Sequence, residues 1–433
     1  MRLTLESLAY GGDAIARMPD GRTAFVSGGC PGDTVEATLL SEHERFARMR
    51  VDAILDPSPD RVEAPCPYFG DCGGCQWQHV AYSAQLTAKQ AAVADALNRI
   101  GKVEHDVTVA PCAPSQEPYG YRNKIELLAE MTGTGLRLGF ARRHDTTIVP
   151  IDACLLLDAR GKRLPKAISG ALRYLDRSGE LGIERVALRV AARTKDLEVA
   201  LWCRPGPFPR RLAAKTIADA TGATSVVRVL IKDKPKARAI AGVEVLKGKG
   251  AWRERLAGHS YLVSGPSFFQ VNTAAAEGLV ETVVSALALN DHSVVADVYA
   301  GVGTFSLPIA EQAEHVLAIE SYGPAITDLR RNVEATDLSV EIVPGDASYV
   351  LGDLGAVDRV LVDPPRAGLD ERALDSIIET RAERIVYVSC DPTTLARDAK
   401  RLLKHGYALE SAHPIDLFPQ TYHVETVAIF TSR

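Results

Sequence analysis

The stretch Ala296-Asp297-Val298-Tyr299-Ala300-Gly301-Val302-Gly303-Thr304 decides the fold. An apolar run of strand length ends in a Gly-x-Gly turn and a helical pattern follows, so the backbone can approach a ligand closely where no side chain intervenes. Outward from this point, residues 263–433 repeat strand, loop and helix, with strands predicted over 294–299, 315–319, 340–343, 359–362 and 385–389. This grammar specifies a doubly wound α/β sheet, a Rossmann-like domain whose ligands sit beyond the carboxyl ends of the strands.

Upstream the pattern changes twice. Residues 1–57 are short alternating stretches broken by GGD, PDG, SGG and PGD, which predict a small β-barrel. A proline-rich run then leads into a helix predicted over 82–100 and stopped at Gly101. Residues 58–262 read as a β-rich central domain, with strand-like runs at 124–129, 186–191, 197–202 and 225–231 and basic turns such as Lys232-Asp233-Lys234-Pro235-Lys236. Three domains in 433 residues agree with ordinary domain size.

The net charge of −5 hides a segregation. Residues 101–260 hold 29 Lys+Arg against 17 Asp+Glu, whereas residues 261–433 hold 12 against 25. A basic middle of this kind suits a polyanion, although solvated basic faces are also common. With 46% hydrophobic and 24% charged residues the composition is that of a globular protein, and no stretch reaches the ~18 apolar residues that span a bilayer. A cytoplasmic location is expected, with no membrane association and no obligate protein partner evident.

A dinucleotide fingerprint would carry a third glycine where Ser306 stands, which disfavours a pyrophosphate. Glu320 ends the next strand nineteen residues after Gly301, where a carboxylate can grip two ribose hydroxyls. Together these fit an adenosine ligand without phosphates, S-adenosylmethionine foremost. Asp346, after the third strand, either accepts from the adenine amine or caps the next helix.

The fourth strand runs into Val362-Asp363-Pro364-Pro365-Arg366, an extended loop with few backbone donors. Methylases of base amines place an aromatic residue after such prolines, and Arg366 departs from that pattern. The fifth strand ends in Ser389-Cys390-Asp391-Pro392, with Asp391 as helix N-cap and Pro392 at the first helical position. Unpaired amides and the helix dipole there favour a thiolate, so Cys390 is a candidate nucleophile, the alternative being an inert buried thiol. Pyrimidine C5 is too weak a nucleophile to take a sulfonium methyl, and thiolate addition at C6 would activate it. The proton later lost from C5 needs a base, for which Glu425 at the head of the last predicted strand is the candidate and His423 its rival.

In Cys66-Pro67-Tyr68-Phe69-Gly70-Asp71-Cys72-Gly73-Gly74-Cys75 three thiols fall within ten residues. Eight cysteines in the chain are too few for a disulfide scaffold, and the close spacing favours a metal over three unligated thiols. Chemistry alone admits zinc, with His79 completing Cys3His, or an iron-sulfur cluster. Cys112 and Cys203 read as core or loop thiols.

These motifs together resemble the RNA uracil-5-methyltransferase family over nearly the whole chain. The resemblance implies Cys390 as nucleophile, Glu425 as proton-abstracting base, and Gln270 of Phe268-Phe269-Gln270-Val271-Asn272 as an S-adenosylmethionine contact. Tyr299, Glu320 and Asp363 are implied as cofactor or substrate contacts. One branch, which modifies ribosomal RNA, has a small N-terminal barrel, the TRAM domain, and a [4Fe-4S] cluster. It implies Cys66, Cys72 and Cys75 as three ligands and Cys154 as the fourth. Arg122, Arg137, Arg142 and Arg143 are candidates for gripping RNA phosphates, and an unpaired loop uridine of ribosomal or transfer RNA is the expected substrate. Two other readings stay open: amine methylation of a base, and a redox-sensing RNA-binding protein on a methyltransferase scaffold.

Overall fold

Alternating side chains build the first part of the molecule. Leu3, Leu5 and Leu8 of the strand Arg2–Leu8 point inward and the residues between them face water. With Ala14–Arg17, Thr23–Ser27, Thr34–Glu42 and Phe46–Asp56, this strand closes the five-stranded barrel expected for residues 1–57. Small interior residues, among them Ala14, Ala16, Ala24 and Ala47, let so few strands close around a filled centre. The computed structural model describes residues 1–103, 107–133, 135–143, 145–232 and 240–433. The basic turn at 232–236 lies outside the described residues from Asp233 onward.

The chain divides into two compact units, one of Met1–Pro118, Pro364–Asp370 and Tyr387–Arg433, the other of Tyr119–Asp363 and Glu371–Val386. In the first unit the helix Tyr82–Ala96 widens into a π-helical turn at Leu97–Gly101 and ends with Lys102 in a left-handed conformation. It packs against the helix Pro392–Lys404. The strand Tyr407–Ile415 pairs antiparallel with the C-terminal strand Glu425–Ser432 and parallel with Thr108–Val109. Lys89 and Asp416, both fully buried, form an ion pair at 2.5 Å that ties the helix Tyr82–Ala96 to the segment leading into the C-terminal strand.

Besides the two-stranded ribbon Ala251–Leu256 and His259–Ser264, the second unit holds strands of two larger sheets of different character. Seven strands run in the order Ile240–Lys247, Ser225–Ile231, Leu197–Cys203, Ile183–Val190, Lys124–Thr132, Gly135–Ala141 and Ile148–Pro150. Among the described residues of this sheet only Leu197–Cys203 and Ser225–Ile231 are a parallel pair, and the helix Arg210–Thr221 makes the crossover such a pair requires. The other sheet contains Val340–Pro344, His315–Glu320, Val294–Val298 and Arg359–Val362, adjacent in that order and parallel throughout. In chain order this is 3-2-1-4, the arrangement of a Rossmann-like sheet, and its central strands are almost entirely buried.

Candidate active site

The second unit carries the glycine turn. Tyr299 follows the strand Val294–Val298 with φ +69°, a backbone conformation that side-chain-bearing residues seldom adopt, and Gly301 and Gly303 follow at +59° and +90°. A Cβ at Gly301 would meet nothing within 4 Å, whereas one at Gly303 would lie 2.9 Å from Leu329 Cδ1. Gly301 thus leaves room above the turn, and Gly303 lets the helix Gly323–Glu334, which carries Leu329, pack against it. Ser306, where a dinucleotide fingerprint has glycine, donates to Asp297 Oδ2 and pins the helix start to the strand.

Glu320 ends the strand His315–Glu320, and three backbone amides aim its carboxylate. Gly301 N–H donates to Oε2 at 2.9 Å, and Ser321 and Tyr322 N–H donate to Oε1 at 2.7 and 2.6 Å. Such a clamp holds a carboxylate at the turn, as ribose recognition requires. Asp346 caps the short helix Ala347–Val350 through Ser348 N–H. Gln270 is buried, and its carbonyl accepts from Asn123 Nδ2 at 2.8 Å. Asn123 N–H donates to Val271 O, so Tyr121-Arg122-Asn123 grips the Gln270 segment and Arg122 bridges Asn272.

Asp297 and Asp363 lie at the ends of neighbouring strands, and Asp363 N–H donates to Val298 O. Burial pushes Asp297 up to about 7, opposed by the Ser306 hydrogen bond and reinforced by the Glu320 charge. Burial, and then the charge of Asp297, push Asp363 up to about 7 as well.

The first unit carries Cys390, partly accessible after the strand Arg384–Ser389. Asp391 caps the helix Pro392–Lys404 by accepting from Thr393 and Thr394 N–H at 2.9 and 3.4 Å. The amides that the sequence offered to the sulfur are therefore taken by Asp391, and Cys390 stands before the positive end of a thirteen-residue helix. Burial opposes ionisation of Asp391, but hydrogen bonds from the Thr393 hydroxyl, the Thr393 and Thr394 amides and Arg366 hold it below the usual carboxylate range. Arg366, the residue that replaces an aromatic, points its Nε at Asp391 Oδ2 and its Nη2 at Tyr422 Oη, both at 3.4 Å. Glu425 is buried at the first position of the C-terminal strand, opposite Ile415.

The cysteine loop is in the first unit too. Cys66, Cys72 and Cys75 are partly accessible; Phe69 N–H donates to Cys66 O, Cys72 N–H to Tyr68 O, and Gly74 N–H to Cys72 Sγ at 3.4 Å. An amide aimed at sulfur is the contact a cluster thiolate accepts. His79 sets its Nε2 2.9 Å from Gly29 O, which engages it with the barrel. Cys154 belongs to the second unit, where its N–H donates to Lys162 O. Among the described residues no three His, Cys, Asp or Glu side chains are gathered into a metal-holding group. Cys112 and Cys203 are buried, with thiols pushed up to about 12 by burial, the inert core role expected of them.

The family model described as tRNA (Uracil-5-)-methyltransferase matches residues 350–433. An uncharacterized RNA methyltransferase of Gloeobacter violaceus is 36% identical over 98% of this chain and 94% of its own length. Another, of Halalkalibacterium halodurans, is 34% identical over 99% and 96%. The crystal structure of Pyrococcus abyssi tRNA (uracil-54, C5)-methyltransferase in complex with S-adenosyl-L-homocysteine matches with a TM-score of 0.77 at 28% identity, covering 100% of this chain and 99% of that one. The chain belongs to the RNA uracil-5-methyltransferase family.

In this RNA methyltransferase the sequence reading missed two features of the site. Phe268, two residues before Gln270, is 63% exposed, an aromatic face turned to solvent. Its neighbour Phe269 is buried against Trp252 and Tyr261, so the pair divides into one core ring and one surface ring. Tyr10 is the other: its hydroxyl lies 3.3 Å from the carbonyl oxygen of Cys390, 380 residues away, and no local pattern announces such a contact.

Proposed function

We propose that this enzyme methylates C5 of a uridine in structured RNA with S-adenosylmethionine, through a covalent bond between Cys390 Sγ and uracil C6. The observation that carries the reading is the place of Cys390, at the carboxyl end of a strand and directly before an Asp391-capped helix. The glycine turn and the amide-held Glu320 fit an adenosine ligand, with Gln270, Tyr299, Asp346 and Asp363 as further contacts. The bound cofactor supplies an electrophilic methyl group. Cys390 adds as thiolate to C6, and the displaced C5–C6 π electrons make C5 the nucleophile that takes the methyl. Glu425 then removes the C5 proton, the electron pair re-forms the C5–C6 double bond, and Cys390 leaves as thiolate.

Replacing Glu425 with Gln is expected to leave sulfur bonded to C6, so that a protein–RNA adduct accumulates on a denaturing gel. An adduct-free lane with normal turnover would reject the role. Cys390→Ala is expected to abolish methylation, and retained activity would favour the amine reading. A ribosomal target, specifically 23S rRNA, is supported by the barrel ahead of the cysteine loop. A transfer RNA target is supported by the likeness to the archaeal tRNA enzyme. Mass-spectrometric mapping of 5-methyluridine in both RNAs from cells lacking this protein separates them.

We further propose a [4Fe-4S] cluster held by Cys66, Cys72, Cys75 and Cys154, in a cytoplasmic enzyme. The Gly74 amide directed at Cys72 Sγ and the engagement of His79 with Gly29 support this over Cys3His zinc. Anaerobically purified protein is expected to contain about four iron atoms per chain. Stoichiometric zinc without iron would reject the cluster.

A further inference from the structure

The barrel carries 6 Lys+Arg against 9 Asp+Glu in residues 1–57, a poor balance for holding RNA by charge. Its first turn has another place in the molecule. Tyr10 lies between the strands Arg2–Leu8 and Ala14–Arg17, outside the barrel core, and donates its hydroxyl hydrogen to the carbonyl oxygen of Cys390 at 3.3 Å. Its ring meets Tyr422 edge to face, with centroids 5.3 Å apart and planes at 88°. Tyr422 accepts from Arg366, and Arg366 also reaches Asp391, the residue after Cys390. The contacts close a circuit, Tyr10 to Cys390 to Asp391 to Arg366 to Tyr422 and back to Tyr10, around the peptide that bears the sulfur.

The turn is itself held in place from the other side. Trp77 Nε1–H donates to Gly12 O at 3.1 Å, and a Cβ at Gly12 would lie 2.9 Å from Gln76 Cβ and 3.4 Å from Tyr422 Cδ1. Gly12, at φ +100°, therefore seats the turn against both the end of the cysteine loop and Tyr422. Gln76 and Trp77 N–H in turn donate to Gln420 O at 3.0 Å, two residues before Tyr422. Burial, followed by the charge of Asp391, pushes the Tyr10 hydroxyl well above its ordinary range, so it remains a donor at every pH at which the enzyme works.

We infer that Tyr10 is a positioning residue for methyl transfer, a part of the barrel that fixes the Cys390 peptide so that its sulfur approaches C6 along a productive line. The inference rests on Cys390 being the nucleophile. It assigns the barrel a role in the chemistry that does not require the barrel to bind RNA by itself.

The test uses full-length protein, S-adenosylmethionine, and transcripts of 23S rRNA and tRNA made with uridine to follow turnover and with 5-fluorouridine to follow the adduct. Fluorine at C5 cannot be removed as a proton, so the C6 adduct persists and its rate of formation can be followed. Tyr10→Phe keeps the ring against Tyr422 and removes the hydroxyl. It is expected to slow single-turnover adduct formation and kcat by about tenfold, with the KM for RNA and the melting temperature unchanged. Tyr10→Ala is expected to slow both further. Adduct formation at the wild-type rate in Tyr10→Phe would overturn the inference. Cys390→Ala, run alongside, separates the two claims. If it still methylates RNA, the nucleophile reading fails. If it is inert while Tyr10→Phe reacts at full rate, only the positioning role falls.

Discussion

Asp297, buried, and Asp363, half-buried, stand at the ends of neighbouring strands of the second unit, and burial raises both to about 7. The sign of the consequence follows from linkage. The unfolded chain releases these protons near pH 4 while the folded protein keeps them, so their contribution to stability is greatest below pH ~4 and is lost as pH rises to about 7. Asp297→Asn retains an acceptor for Ser306 and has no proton to lose. Its melting temperature is expected to fall less than that of the wild type between pH 4.5 and 7.5, checked by calorimetry in matched buffers. Parallel curves would show that Asp297 is ionised throughout. Phe268 makes a second expectation at this scale. An exposed ring stacks a base for about 1–3 kcal/mol, so Phe268→Ala should weaken RNA binding about five- to a hundredfold without lowering the melting temperature. Fluorescence anisotropy with labelled loop RNA measures it, and unchanged affinity would assign the ring no part in binding.

Elements respond to buried charge. The helix Tyr82–Ala96 has no clean apolar stripe, because it buries Gln85 and Lys89 together with Val93 and Ala96. Both polar side chains reach the segment before Glu425. Lys89 pairs with Asp416 and donates to Phe418 O, and Gln85 exchanges hydrogen bonds with Gln420. Lys89→Met would strand the Asp416 charge in the interior and is expected to cost about 3–5 kcal/mol, whereas pairing it with Asp416→Leu should recover most of that. Urea denaturation of the three variants checks it, and equal losses in the single and double variants would mean that the pair is not coupled. The helix itself was legible over 82–100 because Pro and Gly are absent until Gly101. The strands Arg359–Val362 and Ser225–Ile231 emerged at their expected bounds because short β-branched runs between turn residues have one reading. The cap Asp391 was legible because a polar residue before a helical run has a local job. Arg366, Tyr10 and Lys89 were not, since their partners lie 25 to 380 residues away and periodicity carries no long-range information.

For the whole molecule, charge segregation governs how RNA is held. The excess of 12 positive charges in residues 101–260 falls mostly in the second unit, while the barrel in the first is net negative. Many of those basic groups serve the fold: Arg185 pairs with Glu126, Arg228 with Glu244, and the buried Arg189 with Glu198. Arg142 and Arg143 differ from these in position, following the strand Gly135–Ala141 on a surface turn, where Arg142 is exposed. Each phosphate neutralised on a single strand releases counterions and contributes about −0.7 to the slope of log K against log salt. Arg142→Ala and Arg143→Ala are therefore each expected to reduce the magnitude of the slope by roughly that amount and to weaken binding alike for every RNA sequence. Lys215, which pairs with Asp219 along the helix Arg210–Thr221, supplies the control, and Lys215→Ala should leave the slope as it is. Anisotropy titrations from 50 to 200 mM salt, on order of magnitude the range over which such contacts are lost, distinguish the outcomes. Slopes that do not change in either arginine variant would move the RNA-gripping surface away from this turn and onto other arginines of the basic unit, Arg122 and Arg137 first.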